Sequence, residues 1–135
     1  MTDEEKVAKD FVERWSLGPD EMVYHSFREF FTPDTHWDNV GIRVTKGIDE
    51  AIGLMEGYRD ATGTDSVKVD ILNLMSTGST VIMERLDRML DRNGREFLVL
   101  PAVGVFGIEG GKIAWWRDYF DSAYMDKAGV DLPVS

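Results

Sequence analysis

The sequence predicts an α+β fold in which N-terminal helices pack on one side of a strongly curved, mostly antiparallel β-sheet. Up to about residue 61, apolar residues recur at helical spacing, whereas from Ser66 onwards they alternate with a period of two. Glycine-containing joints divide the second half of the chain into consecutive strands. Helices followed by a long antiparallel meander are typical of α+β domains. A strongly curved sheet covered on one side leaves a cone with a cavity, and we expect this shape.

Three helices are expected in the first half of the chain. Thr2 can cap the first helix, because an acidic first turn follows it. Gly18-Pro19 ends that helix, and Pro33-Asp34 indicates a turn after the second helix. The helices are predicted to run from Asp3 through Trp15, from Asp20 to about Phe31, and from Ile48 to Ala61.

The second half of the chain is expected to form a four-stranded meander. Asn93-Gly94 is a strong hairpin signal, and Thr77-Gly78 and Glu109-Gly110-Gly111 mark the other joints. Ala102 and Gly104 place small side chains in the middle of a long strand, which suits a curved sheet. The predicted strands are Thr35–Val40, a short one at Arg43–Thr45, Val67–Ser76, Thr80–Asp91, Arg95–Ile108 and Lys112–Ser122, before a turn of helix over Ser122–Ala128.

The composition narrows the classes of function. At 135 residues the chain is expected to form one domain with a single substantial core. Its net charge of -10 argues against binding to nucleic-acid phosphates or to anionic membranes. There are no cysteines and only two histidines, so thiolate chemistry is excluded and a His-rich metal site is disfavoured. No phosphate-binding glycine motif and no apolar run of transmembrane length is present, and we expect a cytoplasmic protein without a cofactor.

Polar residues interrupt two of the predicted strands. Asp118 stands between Trp116 and Phe120 on one strand face, and Arg85 shares a face with Asp87. One strand separates the two sets, but their side chains can converge across the concave face of a curved sheet. A guanidinium between two carboxylates holds one of them ionised, while an apolar surround raises the pKa of the other. That arrangement meets the requirement of one-step acid–base catalysis.

The same residues are also compatible with simpler arrangements. Arg85 and Asp87 have the spacing of an ordinary salt bridge on a solvated hairpin. Asn39 shares a strand face with Trp37, where an amide can orient a water molecule by donating and accepting hydrogen bonds. Alternatively, Asn39 can satisfy its own backbone beside a turn. The pattern of residues alone leaves these alternatives open.

Four segments fit the pattern of one known family, namely Glu84–Asp87, Val103–Phe106, Gly111–Ile113 followed by Trp116–Asp121, and Val130–Pro133. In these segments the chain resembles the limonene-1,2-epoxide hydrolase family, within the larger group of NTF2-like and SnoaL-like folds. The spacing from Asp87 to Asp118 matches without gaps, and the first half matches in its helix pattern and at Asn39. The resemblance implies an NTF2-like cone, with a mixed, mostly antiparallel sheet that encloses a pocket.

The resemblance implies roles for five residues. Asp87 would be the general acid that protonates the epoxide oxygen, and Asp118 the base that takes a proton from the attacking water. Arg85 would bridge the two carboxylates, and Asn39 would position the water. The family has a tyrosine two residues before that asparagine, where this sequence has Trp37. An indole N–H donates a hydrogen bond but cannot accept one, so Trp37 can serve the water only as a donor. If the water needs an acceptor at this position, the expectation is slow hydrolysis or a related reaction such as intramolecular epoxide opening.

The resemblance also implies an apolar pocket and a homodimer. The pocket wall is expected at Met89, Leu100, Ala102, Phe120 and Val69. Members of the family commonly pair through the outer face of the sheet, and we expect the same here.

The activity implied is the one-step addition of water to a small apolar epoxide, giving a vicinal diol without a metal or cofactor. Two alternatives are compatible with the same fold. A cyclase or isomerase acting on a polyketide-like or steroid-like substrate would form a product without solvent oxygen. An apolar-ligand binder would be stabilised by its ligand without turnover.

Overall fold

The computed structural model describes residues 1–124 of the chain. In this part of the chain the α-helices are α1 (Asp3–Glu13), α2 (Ser26–Phe30) and α3 (Gly47–Thr62). The strands are β1 (Phe31–Asn39), β2 (Arg43–Lys46), β3 (Ser66–Thr77), β4 (Thr80–Leu90), β5 (Glu96–Glu109) and β6 (Lys112–Phe120). Except for positions 122–124, the turn predicted over Ser122–Ala128 and the segment Val130–Pro133 lie outside the described residues.

The strands form one six-stranded sheet in the order β2-β1-β6-β5-β4-β3. β1 and β6 pair in parallel, whereas the other neighbouring strands pair antiparallel. The sheet is therefore mixed and mostly antiparallel, and it does not close into a barrel. The helices pack against it, with α1 contacting β3 to β6 and α3 contacting β1 and β2. The predicted α+β fold of helices on a mostly antiparallel sheet is confirmed.

The helical region between α1 and β1 is less regular than its periodicity predicts. A 3-10 helix (Arg14–Leu17) continues α1, and a π-helix (Glu21–His25) leads into α2. The N–H of Ser26 donates to the carbonyl of Glu21, five residues earlier, which is the hydrogen bond of a π turn. This wide turn buries the adjacent side chains Met22 and Val23 together. The single α-helix predicted over Asp20–Phe31 is therefore interrupted, and it ends at Phe30.

The turn predicted at Pro33-Asp34 is wrong, because both residues lie within β1. Threonine side chains replace part of the regular hydrogen-bond ladder there. The N–H of Thr32 donates to Oγ1 of Thr35 at 2.8 Å, and the N–H of Asp34 donates to Oγ1 of Thr32 at 3.2 Å. The strand register against β6 shifts over this stretch. The sequence signal thus marks an irregularity inside a strand.

The concave face of the sheet carries an aromatic core beneath the helices. Phe11 of α1 lies at its centre and contacts the rings of Trp15, Phe27, Phe30, Phe31, Phe106 and Trp116. Such edge-to-face and tilted ring pairs add stabilisation beyond the area they bury. The described helices include none that is both long and apolar enough to cross a membrane.

Candidate active site

Arg85 joins two aspartates across the concave face of the sheet. Its Nε and Nη2 donate to Oδ1 and Oδ2 of Asp87 at 2.8 and 3.1 Å. Its Nη1 and Nη2 donate to Oδ1 and Oδ2 of Asp118 at 2.7 and 2.6 Å. Each carboxylate therefore receives a bidentate, charge-assisted pair of hydrogen bonds, with Nη2 shared between them. The two sets of polar residues identified in the sequence meet in one cluster.

The bridge crosses β5, which lies between the strands that carry Arg85 and Asp118. Gly104 is the residue of β5 that pairs with Asp118, and Ala102 pairs with Arg85. A Cβ added to Gly104 would lie 2.8 Å from Nη1 of Arg85 and 3.1 Å from Nε1 of Trp116. Glycine at this position thus leaves the space through which the guanidinium reaches the second carboxylate.

The cluster is almost completely withdrawn from solvent. The exposed fractions of Arg85, Asp87 and Asp118 are 1%, 6% and 5%. Burial disfavours the charge on Arg85, but Asp118 and Asp87 outweigh that effect and raise its pKa, so the guanidinium stays protonated. With both carboxylates ionised the trio carries a net charge of about -1, which is costly in a buried site.

The two aspartates differ in the support that their charged forms receive. Burial raises the pKa of Asp87, the guanidinium of Arg85 opposes that shift in part, and the charge of Asp118 adds to it. Asp118 accepts shorter bonds from Arg85 and a further hydrogen bond of 3.3 Å from Nε1 of Trp116. Asp87 is therefore suited to carry a proton, and Asp118 is suited to remain a carboxylate that accepts one.

Aromatic rings hold the arginine in place. The guanidinium carbon lies 5.4 Å from the ring centroid of Trp15 and 5.9 Å from that of Trp116, which is the range of cation–π contacts. Trp116 stacks on Trp37 with centroids 4.8 Å apart and an interplanar angle of 1°. These contacts restrict the rotamers of Arg85 and so fix the positions of both carboxylates.

Asn39 and Trp37 lie beside Asp118 and Trp116 because β1 runs parallel to β6. In this register Asn39 pairs with Asp118, and Trp37 pairs with Trp116. Both side chains are buried, yet Nδ2 of Asn39 and Nε1 of Trp37 have no hydrogen-bond partner within the described part of the chain. A buried, unpaired donor costs about 1–3 kcal/mol. These groups are therefore available to a polar molecule beside Asp118.

An apolar cavity opens in front of the cluster. Of the five wall residues predicted from the resemblance, Met89, Leu100 and Phe120 line it together with Asp87, Asp118, Arg85, Asn39 and Trp37.

The other two predicted wall residues do not line the cavity. Ala102 is buried, but its short side chain does not reach past Arg85, its partner in register. Val69 lines a surface groove with Arg14 and Leu17 instead, where the 3-10 helix packs against β3.

Residues of the helices, of the loop after α3 and of β3 complete the cavity wall, and the sequence pattern did not assign them to the site. Tyr58 follows Met55 by three residues on the inward side of α3, so a tyrosine in that apolar stripe was the available signal. The loop after α3 offered no such signal, because helical spacing ends before it. The residues in question are Trp15, Met22, Tyr58, Arg59, Thr62, Thr64 and Val67.

No group of three or more His, Cys, Asp or Glu side chains within residues 1–124 is arranged to hold a metal ion. The chemistry of the described side chains is that of proton transfer. Two carboxyl groups stand on either side of one guanidinium, in front of an apolar cavity. Such a site can protonate one atom of a bound molecule while it deprotonates another.

Comparison with known proteins agrees with this geometry. The family model of the limonene-1,2-epoxide hydrolase (LEH) catalytic domain matches residues 11–130. An LEH-like epoxide hydrolase from M. tuberculosis is 25% identical, with a TM-score of 0.72 over 93% of this chain and 84% of that one.

Two further structures share the fold at lower identity. A structure described as a SnoaL-like polyketide cyclase from Jannaschia sp. CCS1 is 17% identical, with a TM-score of 0.75 over 93% of this chain and 90% of that one. An NTF2-like protein of unknown function from Burkholderia pseudomallei K96243 is 18% identical, with a TM-score of 0.76 over 95% and 98%. The fold is thus that of the NTF2-like and SnoaL-like proteins, and the match over residues 11–130 shows that the chain belongs to the limonene-1,2-epoxide hydrolase family.

Proposed function

We propose that this protein adds water to an apolar epoxide in one step and releases a vicinal diol. The observation that carries the proposal is the buried Asp87–Arg85–Asp118 bridge at the cavity wall, with Asn39 beside Asp118. Membership of the epoxide hydrolase family supports the reaction class.

In the proposed reaction Asp118 takes a proton from a water molecule, and the water oxygen attacks one carbon of the epoxide. The carbon–oxygen bond of the ring breaks, and Asp87 gives its proton to the leaving oxygen. Addition of one water to one epoxide thus gives one diol. Asp118 ends with a proton and Asp87 without one, so a proton must return from Asp118 to Asp87 before the next turnover. Arg85 stays protonated and offsets the charge of whichever carboxylate is ionised.

The lining of the cavity favours a substrate with an apolar body. Met55, Val67, Met89, Leu100 and Phe120 supply apolar side chains, and the acid–base groups lie together at one side. A ligand site of this kind binds by apolar contact and orients its ligand with few polar groups. A small or medium apolar epoxide fits this description.

We also propose that two copies of the chain pair through the outer face of the sheet. The side chains of Leu72, Met75, Ile82, Val103 and Tyr119 are large, apolar and exposed on that face or its edge. Leu72 is 51% exposed and Met75 is 55% exposed, and such a patch favours burial against a partner. A second copy is the partner because an isologous interface needs one self-complementary surface.

The test of the activity is a screen of apolar epoxides for diol formation with wild-type protein and two variants. Asp118→Asn and Asp87→Asn each keep the size of the side chain but remove one proton-transfer group. Each should lower kcat by about two to four powers of ten. Asp70→Asn is the matched control, because Asp70 forms an exposed ion pair with Arg88 outside the cavity. Diol formation at the wild-type rate by a folded Asp118→Asn or Asp87→Asn variant would contradict the proposal.

A further inference from the structure

Tyr58 on α3 presents a hydroxyl group to the cavity that the Asp87–Arg85–Asp118 cluster does not use. The phenolic oxygen is buried, and it has no hydrogen-bond partner among the described residues. It lies in the same cavity wall as Asp118, Asn39 and Trp37. Burial and then the negative charge of Asp118 raise the pKa of Tyr58, while Arg43 opposes the shift. The hydroxyl is therefore protonated and lies within the field of the base.

Three unpaired polar groups belong to residues that line the cavity together with Asp118. They are Nδ2 of Asn39, Nε1 of Trp37 and Oη of Tyr58. Leaving a buried polar group without a hydrogen-bond partner costs about 1–3 kcal/mol. A cavity lined by three such groups therefore favours binding of a polar molecule. Water is the occupant that fits, because Asn39 stands next to a carboxylate in strand register and the unpaired groups of the cavity include hydrogen-bond donors.

The hydrogen-bond needs of that water distinguish Tyr58 from the other two groups. A water whose first proton is held by Asp118 still has a second proton to donate and two lone pairs to satisfy. The indole of Trp37 and the amide nitrogen of Asn39 are donors and can serve only the lone pairs. A tyrosine oxygen can accept a hydrogen bond from the second O–H of the water, and its own O–H can donate one.

We propose that Tyr58 positions the attacking water for Asp118, with its hydroxyl accepting the hydrogen bond that Trp37 cannot accept. This inference rests on the proposed hydrolysis and assigns to α3 one part of the site that the strands do not supply. Tyr58 acts through the water and is a positioning residue. Its removal should therefore slow the chemical step and leave the apolar binding of the substrate unchanged.

The test is the steady-state kinetics of Tyr58→Phe on an epoxide that the wild-type protein hydrolyses. The change removes one oxygen and keeps the ring that lines the cavity. We expect kcat to fall about 100-fold, as for a misplaced reactant, with KM unchanged. Thermal stability should stay the same or rise, because a buried hydroxyl without a partner is lost. Tyr24→Phe is the matched control, since that hydroxyl donates to Glu56 on the surface.

A rescue variant separates a positioning role from a packing role. Trp37→Tyr in the Tyr58→Phe background brings a hydroxyl back to the same cavity from β1, and it should recover part of the lost kcat. A folded double variant without recovery would contradict the inference, as would a Tyr58→Phe variant with wild-type kcat or with a lowered stability and unchanged kcat. If the double variant does not fold, a crystal structure of the wild-type protein is the alternative test. We expect a water within about 3 Å of both Oη of Tyr58 and an oxygen of Asp118. The absence of that water would overturn the inference.

The same series shows which of the two proposals fails. If Asp118→Asn is inactive and Tyr58→Phe is normal, the role of Tyr58 is wrong and the hydrolysis stands. If Asp118→Asn retains wild-type activity, or the wild-type protein forms no diol from any epoxide, the hydrolysis fails and the inference falls with it.

Discussion

Arg85 places one positive charge between two buried carboxylates, so the net charge of the trio depends on whether one aspartate is protonated. The trio is neutral when Asp87 holds a proton and carries about one negative charge when both aspartates are ionised. Burial therefore raises the pKa of Asp87 even though it accepts two hydrogen bonds from the guanidinium. The proposed division into Asp87 as acid and Asp118 as base thus depends on all three charged groups.

Removal of the guanidinium should destabilise the fold strongly. Arg85→Met keeps a long side chain but leaves Asp87 and Asp118 buried without a cation, and we expect the free energy of unfolding to fall by about 3–5 kcal/mol at neutral pH. Urea unfolding measures this change. Arg117→Met is the control, because Arg117 lies exposed on the outer face over Trp115. Equal stability of the two variants would show that the buried cation does not hold the site together.

The raised pKa of Asp87 predicts the pH dependence of the rate and of the stability. Proton donation requires the protonated form, so kcat should fall as pH rises through the pKa of Asp87 in the folded protein. The folded-state pKa exceeds the unfolded value, so the unfolding free energy should also fall over the window between the two values, as pH rises. Asp87→Asn should lack that second decrease. A rate that shows no alkaline loss before the protein unfolds would contradict this assignment.

β5 lets Arg85 reach Asp118 because it carries no side chain at Gly104. The guanidinium lies over Gly104, in space that a Cβ would occupy. The nearest atoms to that Cβ include two of the three side-chain nitrogens that donate to Asp118, namely Nη1 of Arg85 and Nε1 of Trp116. Because β5 has no side chain at Gly104, side chains of β4 and β6 can meet across it.

Gly104→Ala should therefore lower kcat by about 100-fold, since it displaces the groups that hold the base. Stability should fall by about 1–3 kcal/mol, because the core at this point is already filled. Gly53→Ala is the matched control on the exposed side of α3, where an added Cβ meets nothing within 4 Å. That change should stabilise the helix by about 0.5–1 kcal/mol. Wild-type kcat for Gly104→Ala would show that the guanidinium does not need the space.

The sequence predicted the strands better than the elements around them. Alternation along β4 and β6 correctly placed Arg85 on one face with Asp87, and Asp118 on one face with Trp116, because a strand has a fixed period of two. The pattern left open whether the face of Arg85 and Asp87 is solvated, and the structure buries it. The start of β1 was missed, since threonine side chains there replace backbone hydrogen bonds and Pro33 imitates a turn. The place of Tyr58 in the cavity wall was also not predicted, because helical spacing gives the inward face of α3 but not the strand residues that it faces.

The outer face of the sheet allows a prediction for the whole molecule. We expect the protein to be a homodimer in solution, with the exposed apolar side chains of β3 to β6 buried between two copies. Val103→Glu places a charge in the middle of that surface and should give monomers in light scattering and sedimentation. Val44→Glu is the control, because Val44 is exposed on the edge strand β2. A wild-type protein that is monomeric at micromolar concentration would contradict this arrangement.

The overall fold does not by itself determine the reaction. Proteins with 17% and 18% identity and different descriptions superpose on this chain as well as the LEH-like epoxide hydrolase does. Hydrolysis is therefore inferred from the family match and from the buried aspartate–arginine–aspartate bridge.

The most direct test of one-step hydrolysis is a single turnover in water labelled with heavy oxygen, with enzyme in excess over the epoxide. If Asp118 activates a water that attacks the ring directly, the diol of the first turnover carries one labelled oxygen. A first-turnover diol without label would mean that an enzyme carboxylate attacked the epoxide. A ring-closed or isomerised product without solvent oxygen would mean that the site performs a different reaction.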